Sequence, residues 1–204
     1  PTVDPAHQTA LTDEEQYLID TLTNAFMTSE KLKQHVRFLY AKGSMYRRYN
    51  DNLLFHACLL LNEDGSFKEK EIDGAVYYGK SLMDKYDQMA REAYFSKRHV
   101  DFLWFLWSNQ DSTLFGKDKM TTFERYFIDD KTAHKEHYSP YYRLMENDDG
   151  TIASRILKEF GLTGNAHIVN GHTPIKVTKG ESPIKAGGKL LVIDGGFSKA
   201  YQKT

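Results

Sequence analysis

The sequence predicts a layered fold of mixed α/β class (α+β in its grouping), and three observations carry that reading. Amphipathic segments at about 12–41 and 80–95 repeat apolar residues at helical spacing. Short apolar runs at Leu53–Leu61, Ile168–Val169 and Leu190–Ile193 have the length and branching of strands. The two kinds of segment interleave, which packs helices onto a sheet.

The first helix starts at Thr12-Asp-Glu-Glu15, a capping box in which the hydroxyl accepts from an amide while the glutamate reaches back. Leu18, Leu22 and Phe26 follow on one stripe. Ser29 restarts a second helix with Leu32, Val36 and Leu39 inward, ended by Lys42-Gly43. The run Leu53–Leu61 suits a strand buried on both faces, and Asn62-Glu-Asp-Gly65 makes a turn. Leu82, Tyr86, Met89, Ala90 and Ala93 mark a helix, whereas periodicity cannot assign the aromatic run Asp101–Trp107, whose side chains read as core. The polar, tyrosine-rich stretch from Ser108 to Asp149 is expected to form long loops over a cleft. Ile152, Ile156 and Phe160, closed by Gly161, predict a short helix ahead of the strand that begins at His167.

The 204 residues carry 27 basic and 28 acidic side chains, a balance that argues against nucleic acid or an anionic membrane as partner. No apolar run approaches the ~18 residues of a membrane span, and no signal-peptide pattern is present. The lone Cys58 precludes an intrachain disulfide and suits a reducing cytoplasm. The chain is expected to be a single partial domain, 1–204. It opens at Pro1 and closes just after an apolar strand, so both ends read as cut from something longer.

His172 is the first candidate for chemistry. In His167-Ile-Val-Asn-Gly-His-Thr-Pro174 an apolar strand delivers an imidazole into a glycine turn, where one ring nitrogen can face a metal. A turn histidine bonded to its neighbours is the alternative. His56 lies inside an apolar run and must find a partner there, either a backbone carbonyl or a metal shared with His172. His134 and His137 are spaced as a metal pair, but the lysines and glutamate around them suit a solvated face. Arg125, Ser198 and Lys199 are candidate phosphate donors, with Lys117, Lys119 and Arg143 as further options. Cys58 reads as a small apolar filler.

Five segments extend the argument: Lys42–Tyr46, Tyr49–Cys58, Met120–Phe127, Asn170-Gly-His-Thr-Pro174 and Val192-Ile-Asp-Gly-Gly-Phe-Ser-Lys-Ala-Tyr201. Together they closely resemble the class III fructose-1,6-bisphosphatases of bacteria, members of the calcineurin-like metallophosphatases. The resemblance implies a β-sandwich flanked by helices, of which this chain is the C-terminal half. It also implies two Mn2+ ions and a gluconeogenic, cytoplasmic hydrolase that removes the 1-phosphate of fructose 1,6-bisphosphate. On that resemblance His56 and His172 ligate one metal, Asn170 and Asp194 support them, and Arg125 is a looser match to a phosphate-binding arginine. The superfamily's Asp-x-His, Gly-Asp-x-x-Asp and Gly-Asn-His motifs do not occur here, so no catalytic residue is identified in this chain. The expected partners are therefore the substrate and either the missing N-terminal half or another copy of the chain, and the chain alone is expected to be inactive. A noncatalytic module that binds a sugar phosphate or a partner, and a dinucleoside tetraphosphate hydrolase, are the alternatives.

Overall fold

The computed structural model describes residues 6–7, 10–121, 129, 135–176 and 180–194. The chain forms two compact units, 1–43 and 44–204.

The first unit holds helices α1 (Asp13–Thr28) and α2 (Glu30–Lys42). The capping box is formed: Glu15 N donates to Thr12 Oγ1 at 3.3 Å, and Thr12 N donates to Glu15 Oε2 at 2.8 Å. Ser29 caps α2 by accepting from Leu32 N at 3.2 Å. No residue of either helix is buried, so Leu32, Val36 and Leu39 are not the inward side chains expected of them. Two short helices have no third layer of their own to close over an apolar stripe.

The second unit is built on a five-stranded sheet with the order β1 (Tyr46–Tyr49), β2 (Asn52–Phe55), β5 (His167–Asn170), β7 (Leu190–Val192), β6 (Ile184–Lys185). β2, β5 and β7 run parallel, and β1 and β6 close the two edges antiparallel. A separate hairpin pairs β3 (Lys70–Ile72) with β4 (Ala75–Tyr77). The mixed α/β class is thus the observed one.

Helices α3 (Gly79–Ser96), α4 (Asp101–Ser108), α5 (Pro140–Asn147) and α6 (Thr151–Glu159) complete the unit. Leu53, Phe55, Ile168, Asn170, Leu190 and Val192 form the buried side of the sheet's parallel strands. The helices add Tyr141, Met145, Ile156 and Leu157 to the same core. The other face is half open, with Leu191 40% and Ile193 46% exposed. The N-terminus of α3 is held by α6, where Glu159 Oε1 accepts from Lys80 N at 3.2 Å.

Three expectations change here. The run Leu53–Leu61 is buried almost throughout, but it is a strand only to Phe55 and bends at His56. Continuous hydrophobicity reports burial without specifying backbone type, and within β2 Leu54 is only partly covered. The aromatic run is a helix that buries Phe102 and Leu106 but leaves Trp104 and Trp107 on the surface, so it is core on one side only. The stretch expected to be loops contains α5, capped by Ser139, started by Pro140, and burying Tyr141 and Met145 one turn apart.

Candidate functional site

The sheet register explains how distant residues meet. Leu54, Val169 and Leu191 lie in one row across the three parallel strands. His56, His172 and Asp194 therefore all fall just past the carboxyl ends of those strands, where open α/β sheets place their ligands.

His56 and His172 are brought into contact. His56 Nε2 and His172 Nδ1 lie 3.0 Å apart, with the rings edge to face at 4.9 Å between centroids. The backbone fixes this approach: Gly171 N donates to the His56 carbonyl at 2.9 Å. Asn170, 3% exposed, donates from Nδ2 to the Ala57 carbonyl at 2.8 Å and to Tyr141 Oη at 3.3 Å. Its own carbonyl accepts from Ile193 N at 2.9 Å, beside Asp194. Asn170 thus ties together the segments that bear both histidines and Asp194.

His172 has φ 71°, a left-handed conformation that costs a residue with a side chain ~1–3 kcal/mol and concentrates at functional sites. Burial, and then the neighbouring His56, push its pKa below the ordinary value, and Lys117 adds to this. A neutral ring is the form that binds metal. Its Nε2 is buried and makes no hydrogen bond.

With metal–nitrogen bonds of ~2.1 Å, nitrogens 3.0 Å apart subtend close to a right angle, as two adjacent octahedral positions do. The contact is of hydrogen-bond length, and with the shared proton lost the same two nitrogens suit adjacent positions around one ion. Among the described residues no group of three or more His, Cys, Asp or Glu could hold one, so the pair supplies only part of a coordination shell.

The other candidates divide. Lys117 is close enough to influence His172, and it pairs with Glu136 at 2.9 Å. Arg143 is an exposed partner of Glu63. His137 is exposed, as expected of a solvated face, and bonds Asp118 at 3.0 Å. Cys58 is fully buried, and burial pushes its thiol up to about 12, which suits an inert filler. Arg125, His134, Ser198 and Lys199 lie outside the described residues. Sequence reading missed Tyr142 and Thr173, whose buried hydroxyls lie beside one another next to His172. Thr173 was legible as a member of the His172 turn; nothing in its own segment singled out Tyr142.

Comparison with known proteins adds a family. The model of a family described as Firmicute fructose-1,6-bisphosphatase matches residues 1–204. A Clostridium novyi protein named fructose-1,6-bisphosphatase class 3 is 55% identical over 210 residues, covering 99% of this chain and 31% of its own length. Proteins of the same name from Bacteroides fragilis and Fusobacterium nucleatum are 57% and 52% identical, covering 99% and 100% of the chain and 31% and 33% of their own lengths. The chain therefore spans about a third of the length of the curated relatives it matches. No solved structure matches it.

Proposed function

Because the chain belongs to the Firmicute fructose-1,6-bisphosphatase family, we propose that it supplies one wall of the active site of an enzyme that hydrolyses fructose 1,6-bisphosphate. Water adds across the phosphorus–oxygen bond at the 1-position, releasing fructose 6-phosphate and inorganic phosphate. The single observation that carries this reading is the 3.0 Å approach of His56 and His172 at the carboxyl edge of the parallel strands. The match along the whole chain favours it over a dinucleoside tetraphosphate hydrolase.

In this reading His56 Nε2 and His172 Nδ1 hold a divalent ion, which we take to be Mn2+. Bound there, such an ion supplies Lewis acidity toward a phosphoryl oxygen. The chain's own residues do the rest of this wall's work. Burial disfavours the charged form of His172, the form that cannot bind a metal. Asn170 and Gly171 fix the spacing of the two rings. Lys117, paired with Glu136, lies near His172, while Arg125, on its looser resemblance, and Ser198 and Lys199, on their place after the Asp194 turn, are the further candidate phosphate donors.

The remaining ligands would come from parts of the enzyme outside this chain. The half-open sheet face at Leu191 and Ile193 is where those parts would pack, completing the sandwich. A cytoplasmic, gluconeogenic role belongs to the same reading.

The test is Mn2+-dependent phosphate release from fructose 1,6-bisphosphate by the intact enzyme. His172→Ala is expected to lower it by more than ~100-fold, beyond the loss typical of residues that merely support a ligand. This chain alone is expected to release none. Intact enzyme that keeps its rate in His172→Ala, or release by the chain alone, would overturn the reading.

A further inference from the structure

A residue with a side chain keeps a left-handed backbone only where its surroundings over-determine it. His172, at φ 71°, is such a residue, so what holds its turn bears on where its ring points. The entry to the turn is fixed by the bond from Gly171 N to the His56 carbonyl, at 2.9 Å. The exit runs through Thr173 and Pro174, and there a different element takes over. It is α5, whose first turn carries the consecutive tyrosines Tyr141 and Tyr142.

Neighbouring helical side chains diverge by about 100°, and these two reach the chain on either side of His172. The Tyr141 hydroxyl, on a side chain that is itself buried, accepts from Asn170 Nδ2 at 3.3 Å, two residues before the histidine. The Tyr142 hydroxyl lies beside that of Thr173, one residue after it. Both hydroxyls of this second pair are buried, and neither has another partner among the described residues. Buried polar groups almost always find one, so each is the group placed to satisfy the other. Gly116 makes room for the Tyr142 hydroxyl: at φ 62°, the first carbon of any side chain there would lie 2.7 Å from its oxygen. The same loop is tied to the start of α5 by Ser139 N, which donates to the Gly116 carbonyl at 3.0 Å. The two tyrosine rings pack edge to face with centroids 5.5 Å apart, so neither swings without displacing the other. Burial pushes both phenols far up, and each therefore stays a neutral hydroxyl able to donate.

We propose that Tyr141 and Tyr142 are positioning residues that clamp the His172 turn from α5, the Tyr142–Thr173 hydroxyl pair fixing its exit so that His172 Nδ1 is held toward His56 Nε2. This role rests on the metal-site reading above and gives a part in it to a helix that supplies no ligand. Removing groups that stand behind metal ligands typically costs ~10–100-fold in metal affinity.

Tyr142→Phe and Thr173→Val each delete one hydroxyl of the pair and keep the shape. Both, and the double variant, are made in the intact enzyme, with Mn2+ binding read from electron paramagnetic resonance of the free ion. Each single variant is expected to bind one ion ~10-fold more weakly. The double variant is expected to be no weaker than the singles, because the same hydrogen bond is lost in all three. Phosphate release from fructose 1,6-bisphosphate is expected to return at saturating Mn2+, a rescue that a general loss of stability does not give. Unchanged Mn2+ affinity in both singles, losses that add in the double, or a rate that stays low at saturating Mn2+ would overturn the clamp. Thr173→Val leaves every ring in place, so it carries the test where Tyr142→Phe does not fold. His172→Ala separates the two levels of the reading. An ion lost in His172→Ala but kept in both hydroxyl variants sinks the clamp alone. An ion kept in all three sinks the metal site, and the clamp with it. Where the parent enzyme itself releases no phosphate from the bisphosphate, the reading of the reaction falls and the Mn2+ affinities alone decide the clamp.

Discussion

Individual residues show how charge is balanced within the fold. Burial pushes the Asp111 carboxyl up, but the ammonium groups of Lys68 and Lys70, at 2.5 and 2.7 Å, outweigh it and hold the pKa below the ordinary value. A carboxylate depressed in this way stabilises the fold at pH values above its unfolded pKa of ~3.9. That contribution is lost as pH falls through the folded value. The double variant Lys68→Met/Lys70→Met is therefore expected to unfold at a higher pH than the parent in an acid titration followed by circular dichroism. An unchanged acid midpoint would mean that the two pairs contribute nothing. Asp111 also anchors a core residue, because its carbonyl accepts from Tyr86 Oη at 3.0 Å. None of this was legible in the sequence, since Asp111 stands about 40 residues from both lysines and only the fold makes them neighbours.

Elements were legible where local signals and tertiary packing agree. Thr12, Ser29 and Gly161 mark helix ends because caps are satisfied within a few residues, and the chain obeyed them. The run after Phe55 misled because burial on all sides carries no periodicity. Helix α5 was missed although Ser139-Pro140 is a start signal, because its four-residue apolar spacing is short and set among polar tyrosines. Helix α6 shows what a cap contributes. Asp148 accepts from Ile152 N at 3.0 Å and from Ala153 N at 2.9 Å, with one carboxylate oxygen each. The helix it starts buries Ala153, Ile156 and Leu157. Asp148→Ala is expected to cost ~1–2 kcal/mol, read from urea unfolding. A change below a few tenths of a kcal/mol would show that packing alone holds the helix start.

At the scale of the whole molecule, three parallel strands end in register and deliver His56, His172 and Asp194 to one edge. The two histidines were legible from their strand context and from the family resemblance. Their mutual approach was not, because 116 residues separate them and the β2–β5 register alone sets it. One edge of the sheet thus offers two imidazole nitrogens, while one face of the same sheet is only half covered. The central claim is that His56 and His172 together form part of a metal site. Its most direct test is a Mn2+ titration of the intact enzyme and of its His56→Ala and His172→Ala variants, followed by electron paramagnetic resonance of the free ion. The account predicts that each substitution weakens binding of one ion by more than ~10-fold, with the double variant losing that same ion and no other. Mn2+ binding that is unchanged in both single variants would contradict it.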